Sequence, residues 1–185
     1  EANSQVAEYW RRLGAAGLSP FCILGSPQDG NHHFLGPLAG GRPKPVWRAL
    51  SAAYAPQAAS LEVWDRNYRP GQRATLPVCF VNDTLQRADL TATVGVWAEG
   101  EDAPRVAAEV TCSVPPRGRE RCTVSLALPS EPGEWRFRAT LQPTPAEVQG
   151  PVVSSWRFRT LAPRAAEALA RQRVALPPGE EELGD

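Results

Sequence analysis

Val106-Ala107-Ala108-Glu109-Val110-Thr111-Cys112-Ser113-Val114, then Pro115-Pro116-Arg117-Gly118, then Arg119-Glu120-Arg121-Cys122-Thr123-Val124-Ser125-Leu126-Ala127-Leu128 is the stretch that decides the fold. Val106, Ala108, Val110, Cys112 and Val114 fall at every second position, as do Cys122, Val124, Leu126 and Leu128. A period of two places each set on one face of a strand, and the proline and glycine residues between them supply a turn. The same rhythm continues outward on both sides. Runs at 60–65, 73–82, 88–98, 105–114, 120–128, 134–142 and 152–161 are separated by turn residues such as Arg69-Pro70-Gly71, Asn82-Asp83, Gly100 and Pro132-Gly133. Trp135, Phe137, Ala139 and Leu141 make a further inward face. Seven short strands at this spacing predict a mainly β chain built as an antiparallel β-sandwich. Burying a side chain such as Leu126 or Phe137 contributes about 1.5–3 kcal/mol, so a sandwich of about 100 residues can be stable without disulfides.

The first 55 residues follow a different pattern, with the change near Pro56. Val6, Tyr9, Trp10 and Leu13 recur at helical spacing on one face and Gly14 follows where a C-terminal cap belongs, which predicts a helix ending at Gly14. Leu18-Ser19-Pro20-Phe21-Cys22-Ile23-Leu24 is apolar on both faces, as a strand covered on both sides reads. A polar, glycine-rich loop is expected from Gly25 to about Gly41. Pro45-Val46-Trp47-Arg48-Ala49-Leu50-Ser51-Ala52-Ala53-Tyr54 then opens with proline and places Val46, Leu50 and Ala53 on one side of a second helix. Helix, strand, long loop and helix form a slice of an α/β layer. Beyond Pro163 the sequence predicts a short helix and a disordered tail.

The composition excludes several function classes. Twenty basic and 20 acidic side chains leave no net charge, so the electrostatic footprint of a nucleic-acid binder is absent. No run approaches the roughly 18 apolar residues of a membrane span. A chain of 185 residues is too short for a whole (β/α)₈ barrel, which takes about 250. It has no methionine and starts Glu1-Ala2-Asn3-Ser4, so it reads as a piece of a longer product.

Residues able to do chemistry concentrate in the loop Gly25-Ser26-Pro27-Gln28-Asp29-Gly30-Asn31-His32-His33-Phe34-Leu35-Gly36, at the C-terminal end of the expected buried strand, where α/β folds place ligands. A solvated connection explains the same composition. Asp29 is one carboxylate without a second, and adjacent His32 and His33 point in different directions and cannot share a metal. The cysteines, Cys22, Cys79, Cys112 and Cys122, have no zinc-ligand spacing. No GxSxG elbow or phosphate-cradling glycine run occurs. Neither a metal nor a cofactor is expected. Cys112 and Cys122 lie symmetrically about Arg117, which leaves a disulfide and two buried thiols both open. Arg136, Arg138, Arg157 and Arg159 would line one outer face, either as an anion surface or as solvated ions with acidic partners. Asn82-Asp83-Thr84 matches a glycosylation sequon. Six tryptophans, Trp10, Trp47, Trp64, Trp97, Trp135 and Trp156, could stack on sugars, but most fit core or interdomain positions more simply.

The ordered set Pro20-Phe21-Cys22, Ser26-Pro27-Gln28-Asp29-Gly30-Asn31-His32-His33-Phe34, Lys44-Pro45-Val46-Trp47-Arg48-Ala49-Leu50, and Asp65-Arg66-Asn67-Tyr68-Arg69-Pro70-Gly71-Gln72 with Asn82-Asp83 resembles the end of glycoside hydrolase family 2 catalytic barrels and the Ig-like domain behind them. The resemblance implies a helix-strand-loop-helix remnant of a (β/α)₈ barrel over 1–55, a seven-stranded Ig-like antiparallel β-sandwich over 56–162, and a short helix with a disordered tail over 163–185. It implies a retaining exo-glycosidase of the β-galactosidase or β-glucuronidase sort, whose carbohydrate meets the parent barrel. The family's catalytic glutamates stand on earlier barrel strands, so no catalytic residue is assigned to this chain. Asp29, Asn31, His32, His33 and Phe34 would border the sugar-binding mouth. The other reading is a non-catalytic Ig-like module that binds carbohydrate or protein. Residues 1–55 should be less stable than the sandwich unless they fold against it.

Overall fold

Helix α1 spans Ala2–Leu13 and stops where the sequence requires. Gly14 takes φ 84°, and Gly14 N and Ala15 N donate to Arg11 O and Trp10 O, the pairing of a Schellman cap. The computed structural model describes residues 2–15, 17–18, 33–36, 40–142 and 151–162. Most of the expected buried strand at 18–24 and the whole tail at 163–185 lie outside them. Strands β1 (Phe34–Leu35) and β2 (Arg42–Pro43) pair antiparallel, which replaces part of the expected loop by a two-residue ladder. Helix α2 follows at Pro45–Ala53 with proline in its first turn. Its Leu50 and Ala53 meet Ala7 of α1, with Val46 and Leu18 packed alongside.

The strands that follow are β3 (Gln57–Leu61), β4 (Asn67–Tyr68), β5 (Arg73–Asn82), β6 (Ala88–Ala98), β7 (Val106–Val114), β8 (Gly118–Ala127), β9 (Gly133–Gln142) and β10 (Val153–Thr160). The chain is therefore mainly β. One sheet has the order β4-β10-β9-β6-β7 and the other β3-β5-β8. Each of the seven runs overlaps a strand. The two-residue β4, parallel to β10, adds an eighth that alternation could not mark. The first run needs correction from 60–65 to 57–61. Ala58, Ala59, Ser60 and Leu61 are all buried, with the other sheet on one side and the helices on the other, so no alternation survives there.

The two sheets share one apolar layer, drawn from Leu76, Val78 and Phe80 of β5, Val94 and Val96 of β6, Val124 and Leu126 of β8, and Phe137 and Leu141 of β9. Register explains the match. Val96 stands opposite Phe137, and Leu76 opposite Val124, so inward residues of neighbouring strands coincide. Phe137 and Phe158 stack with centroids 3.9 Å apart, and Tyr68 closes edge-on against both.

Gly95 in β6 allows a close approach on the opposite face. A Cβ there would lie 2.5 Å from Val106 O and 3.1 Å from the Trp97 ring, which Arg138 covers at 5.3 Å. Gly95→Ala is expected to force β6 from β7 and cost about 1–3 kcal/mol, read as a lower urea midpoint at unchanged slope. An unaltered midpoint would show that the strand pair absorbs a methyl.

The apolar stripe of α1 is turned away from the sandwich: Val6 is 56% exposed, Trp10 47% and Leu13 57%. Ser4, Ala7, Glu8 and Arg12 are the buried residues instead. Periodicity shows which side chains share a helix face, and the partner decides which face is covered. Here the partner offers polar groups at Ser60, Leu61 O and Ser154, which hydrogen-bond to the polar face.

Candidate functional site

Of the residues expected at the sugar-binding mouth, Asp29, Asn31 and His32 lie outside the described residues, and His33 and Phe34 lie within them. Lys44 N donates to His33 O at 2.8 Å, and Phe34 sits opposite Pro43 in the β1–β2 ladder. These bonds bring both rings to α2. Trp47 meets the His33 imidazole edge-on at 6.4 Å between centroids and the Phe34 ring at 5.0 Å and 44°. His33 is buried, whereas Phe34 is half-buried and Trp47 exposed. The cluster is an aromatic surface over a buried imidazole, able to stack on an apolar ligand face. Sequence reading did not join Trp47 to it, although a tryptophan two positions into a helix that follows the loop was the available signal.

The most strongly perturbed carboxyl is elsewhere. Glu8 Oε2 accepts from Ser60 Oγ at 2.9 Å and Ser154 Oγ at 2.5 Å, while Arg12 Nη1 donates to Ser60 Oγ at 2.7 Å and Leu61 O at 3.0 Å. Burial pushes its pKa up to about 7, against the lowering effect of the two hydroxyls and of Arg12 and Arg11. A pKa near neutrality is what a general acid needs, but the adjoining cavity measures only about 10 Å³. That is about one water position, so Glu8 holds α1 to β3 and β10 and cannot reach a substrate.

Arg11 completes this attachment. It donates to Ala53 O and Ala55 O at 2.5 and 2.8 Å and pairs with Asp83 at 2.6 Å. Gln5 Nε2 reaches Ser155 O at 2.9 Å, and Arg119 Nη1 reaches Arg11 O at the C-terminal end of α1. The condition set for the N-terminal segment's stability is met at α1: it folds against the sandwich.

Open clefts occur elsewhere among the described residues. One of about 380 Å³ lies between Arg66, Glu99, Trp135, Arg157 and Arg159, and one of about 570 Å³ between Arg11, Tyr54, Asp83, Arg117 and Arg119. Neither is lined by His33 or Phe34. The arginine face is also largely paired. Arg136 forms a two-point bond with Glu99 at 2.8 and 3.0 Å, Arg159 pairs with Glu134 at 2.7 Å, and Arg138 covers Trp97. The Arg136 contact also holds the exposed Glu99 carboxyl below its usual range.

Asn82 is fully buried, and its amide is committed. Nδ2 faces Gln86 O, Pro115 O and Val114 O at 2.7, 3.2 and 3.3 Å, and Oδ1 accepts from Thr84 N and Oγ1. The sequon therefore has no accessible acceptor nitrogen in the folded chain. Trp97, Trp135 and Trp156 are buried in the sandwich, whereas Trp10, Trp47 and Trp64 are exposed. Tyr9 lies edge-on to both exposed tryptophans Trp10 and Trp64, with centroids 5.4 and 6.1 Å away.

No family model matches the chain, and no curated protein matches it. Among solved structures, a CARDB domain from Pyrococcus furiosus is 13% identical, with 57% of this chain and 87% of that one covered at a TM-score of 0.45. A β-glucosidase from Listeria innocua is 12% identical at a TM-score of 0.44, covering 80% of this chain. A family 123 glycoside hydrolase from Clostridium perfringens is 8% identical at 0.38, covering 57%. The match spans only 21% and 27% of those two enzymes. The neighbours thus include glycoside hydrolases at low identity and weak similarity.

Proposed function

We propose that the chain is the end of a family-2-like glycoside hydrolase: residues 1–55 close a catalytic barrel and residues 56–162 form the Ig-like sandwich that braces it. The parent would be a retaining exo-glycosidase of the β-galactosidase or β-glucuronidase sort. Both catalytic glutamates come from barrel strands other than those of this chain, and the His33, Phe34 and Trp47 rings lie toward the sugar-binding mouth.

The observation that carries the reading is the orientation of α1. A helix that gives its polar face to the sandwich and leaves Val6, Trp10 and Leu13 exposed is built to be covered by a further apolar layer. An outer barrel helix has that requirement, because its apolar stripe rests on the barrel strands. A free-standing binding module would gain nothing from it.

The protein translated from the complete reading frame is expected to hydrolyse a p-nitrophenyl β-galactoside or β-glucuronide, with the β-anomer as first product by NMR. The 185-residue chain alone is expected to give no turnover and no heat on titration with galactose or glucuronate. A reading frame without two glutamates at barrel-strand ends would sink the proposal. Saturable sugar binding by the chain alone would favour the module.

A further inference from the structure

The turn Pro115–Gly118 sends its two strands into different sheets. β7 is the edge of the five-stranded sheet and β8 the edge of the three-stranded sheet, and the two are not ladder neighbours. Between these edges stand Cys112 and Cys122. Cys112 lies opposite Leu90 of β6, and Cys122 opposite Val78 of β5, so both point into the space between the sheets. Their sulfur atoms are 2.7 Å apart, and Cys122 Sγ also lies 4.0 Å from Thr111 O. Both residues are half-buried, in contrast to the buried Cys79, so a small reagent can reach them.

We propose that Cys112 and Cys122 are a redox modification site, at which a small-molecule disulfide of the oxidised-glutathione class converts the thiol pair into a disulfide bridging the two sheets. Burial first, and then Cys122 beside it, pushes the Cys112 thiol above its ordinary range, and with the two sulfur atoms in contact either cysteine can attack first. One of them, as its thiolate, displaces one sulfur of the reagent, forming a mixed disulfide and releasing one thiolate. The other cysteine then loses its proton, attacks the capped sulfur and expels the second reagent thiol. Two protein thiols are oxidised, one reagent disulfide is reduced to two thiols, and the two cysteine protons pass to the released thiolates.

The bond closes a short loop across an edge that otherwise depends on one turn and side-chain packing. Restricting that loop in the unfolded chain should raise Tm by about 5–10 °C. The test incubates the full chain in glutathione buffers of increasing oxidised fraction and maps peptides without reduction. A peptide pair joining Cys112 to Cys122 and lighter by two hydrogens, with a Tm rise that dithiothreitol reverses, is expected. Cys112→Ser and Cys122→Ser should each lose the redox dependence of Tm. Glutathione adducts without the cross-link, two thiols that stay reduced in oxidised buffer, or a cross-link that leaves Tm unchanged would each overturn the proposal.

Discussion

Asn82→Ala is expected to lower stability by roughly 3 kcal/mol and Tm by about 6–12 °C. The side chain is fully buried where the β5–β6 turn meets the β7–β8 turn. Its two amide hydrogens serve Gln86 O, Val114 O and Pro115 O, and its oxygen serves Thr84 and, at 3.4 Å, Gln57. Alanine removes the whole set of bonds at once; Gly118 N still serves Pro115 O and Thr84 Oγ1 still serves Gln86 O, and each group left without a partner costs about 1–3 kcal/mol. Asn82→Asp should be worse. It keeps the acceptor but aims a second carboxylate oxygen at three carbonyl oxygens. Urea unfolding of the two variants beside the parent decides it, and a midpoint within experimental scatter of the parent for Asn82→Ala would show that Asn82 is dispensable.

Arg12→Ala is expected to cost roughly 1–3 kcal/mol in the attachment of α1, because it removes the buried donor to Ser60 Oγ and Leu61 O. The same network makes stability depend on pH with a defined sign. Folding raises the Glu8 pKa from 4.5 to about 7, so between those values the native chain holds a proton that the unfolded chain has released. The resulting stabilisation, on the order of 3 kcal/mol, is complete below pH 4.5 and is lost as pH rises through 7. The groups facing Glu8 are Arg11 and Arg12 of its own helix, Ser60 of β3 and Ser154 of β10, and none of them is a second acid. The difference in urea midpoint between the parent and Glu8→Gln should therefore change steadily from pH 5 to 8. Parallel pH profiles would show that Glu8 does not titrate in this range.

Much of the sandwich was legible in the sequence. Alternation in Val106–Val114, Cys122–Leu128 and Trp135–Leu141 was sufficient because each of these strands has one face on the core and one away from it. It failed at β3, which is covered on both sides, and at β4, where two residues carry no period. Of the candidate sugar-facing residues, His33 and Phe34 were legible as polar and aromatic loop residues, but their joining to Trp47 depends on the β1–β2 ladder and the Lys44 bond. Asn82 read as a turn residue in a sequon, and nothing local announced that its amide ties two distant turns together.

The sequence by itself determined where the six long strands from β5 to β10 and the two helices form, which of their residues share a face, and where Gly14 and Pro45 bound the helices, because these depend on local geometry and spacing. Only the tertiary structure decided which face of α1 is covered and that Glu8 is enclosed. Those outcomes depend on partners brought together from far along the chain. A short polar patch made by Ser60, Leu61 O and Ser154 can take the polar face of a helix whose apolar stripe is better defined, since buried hydrogen-bonding groups must be paired whereas an apolar stripe can remain exposed.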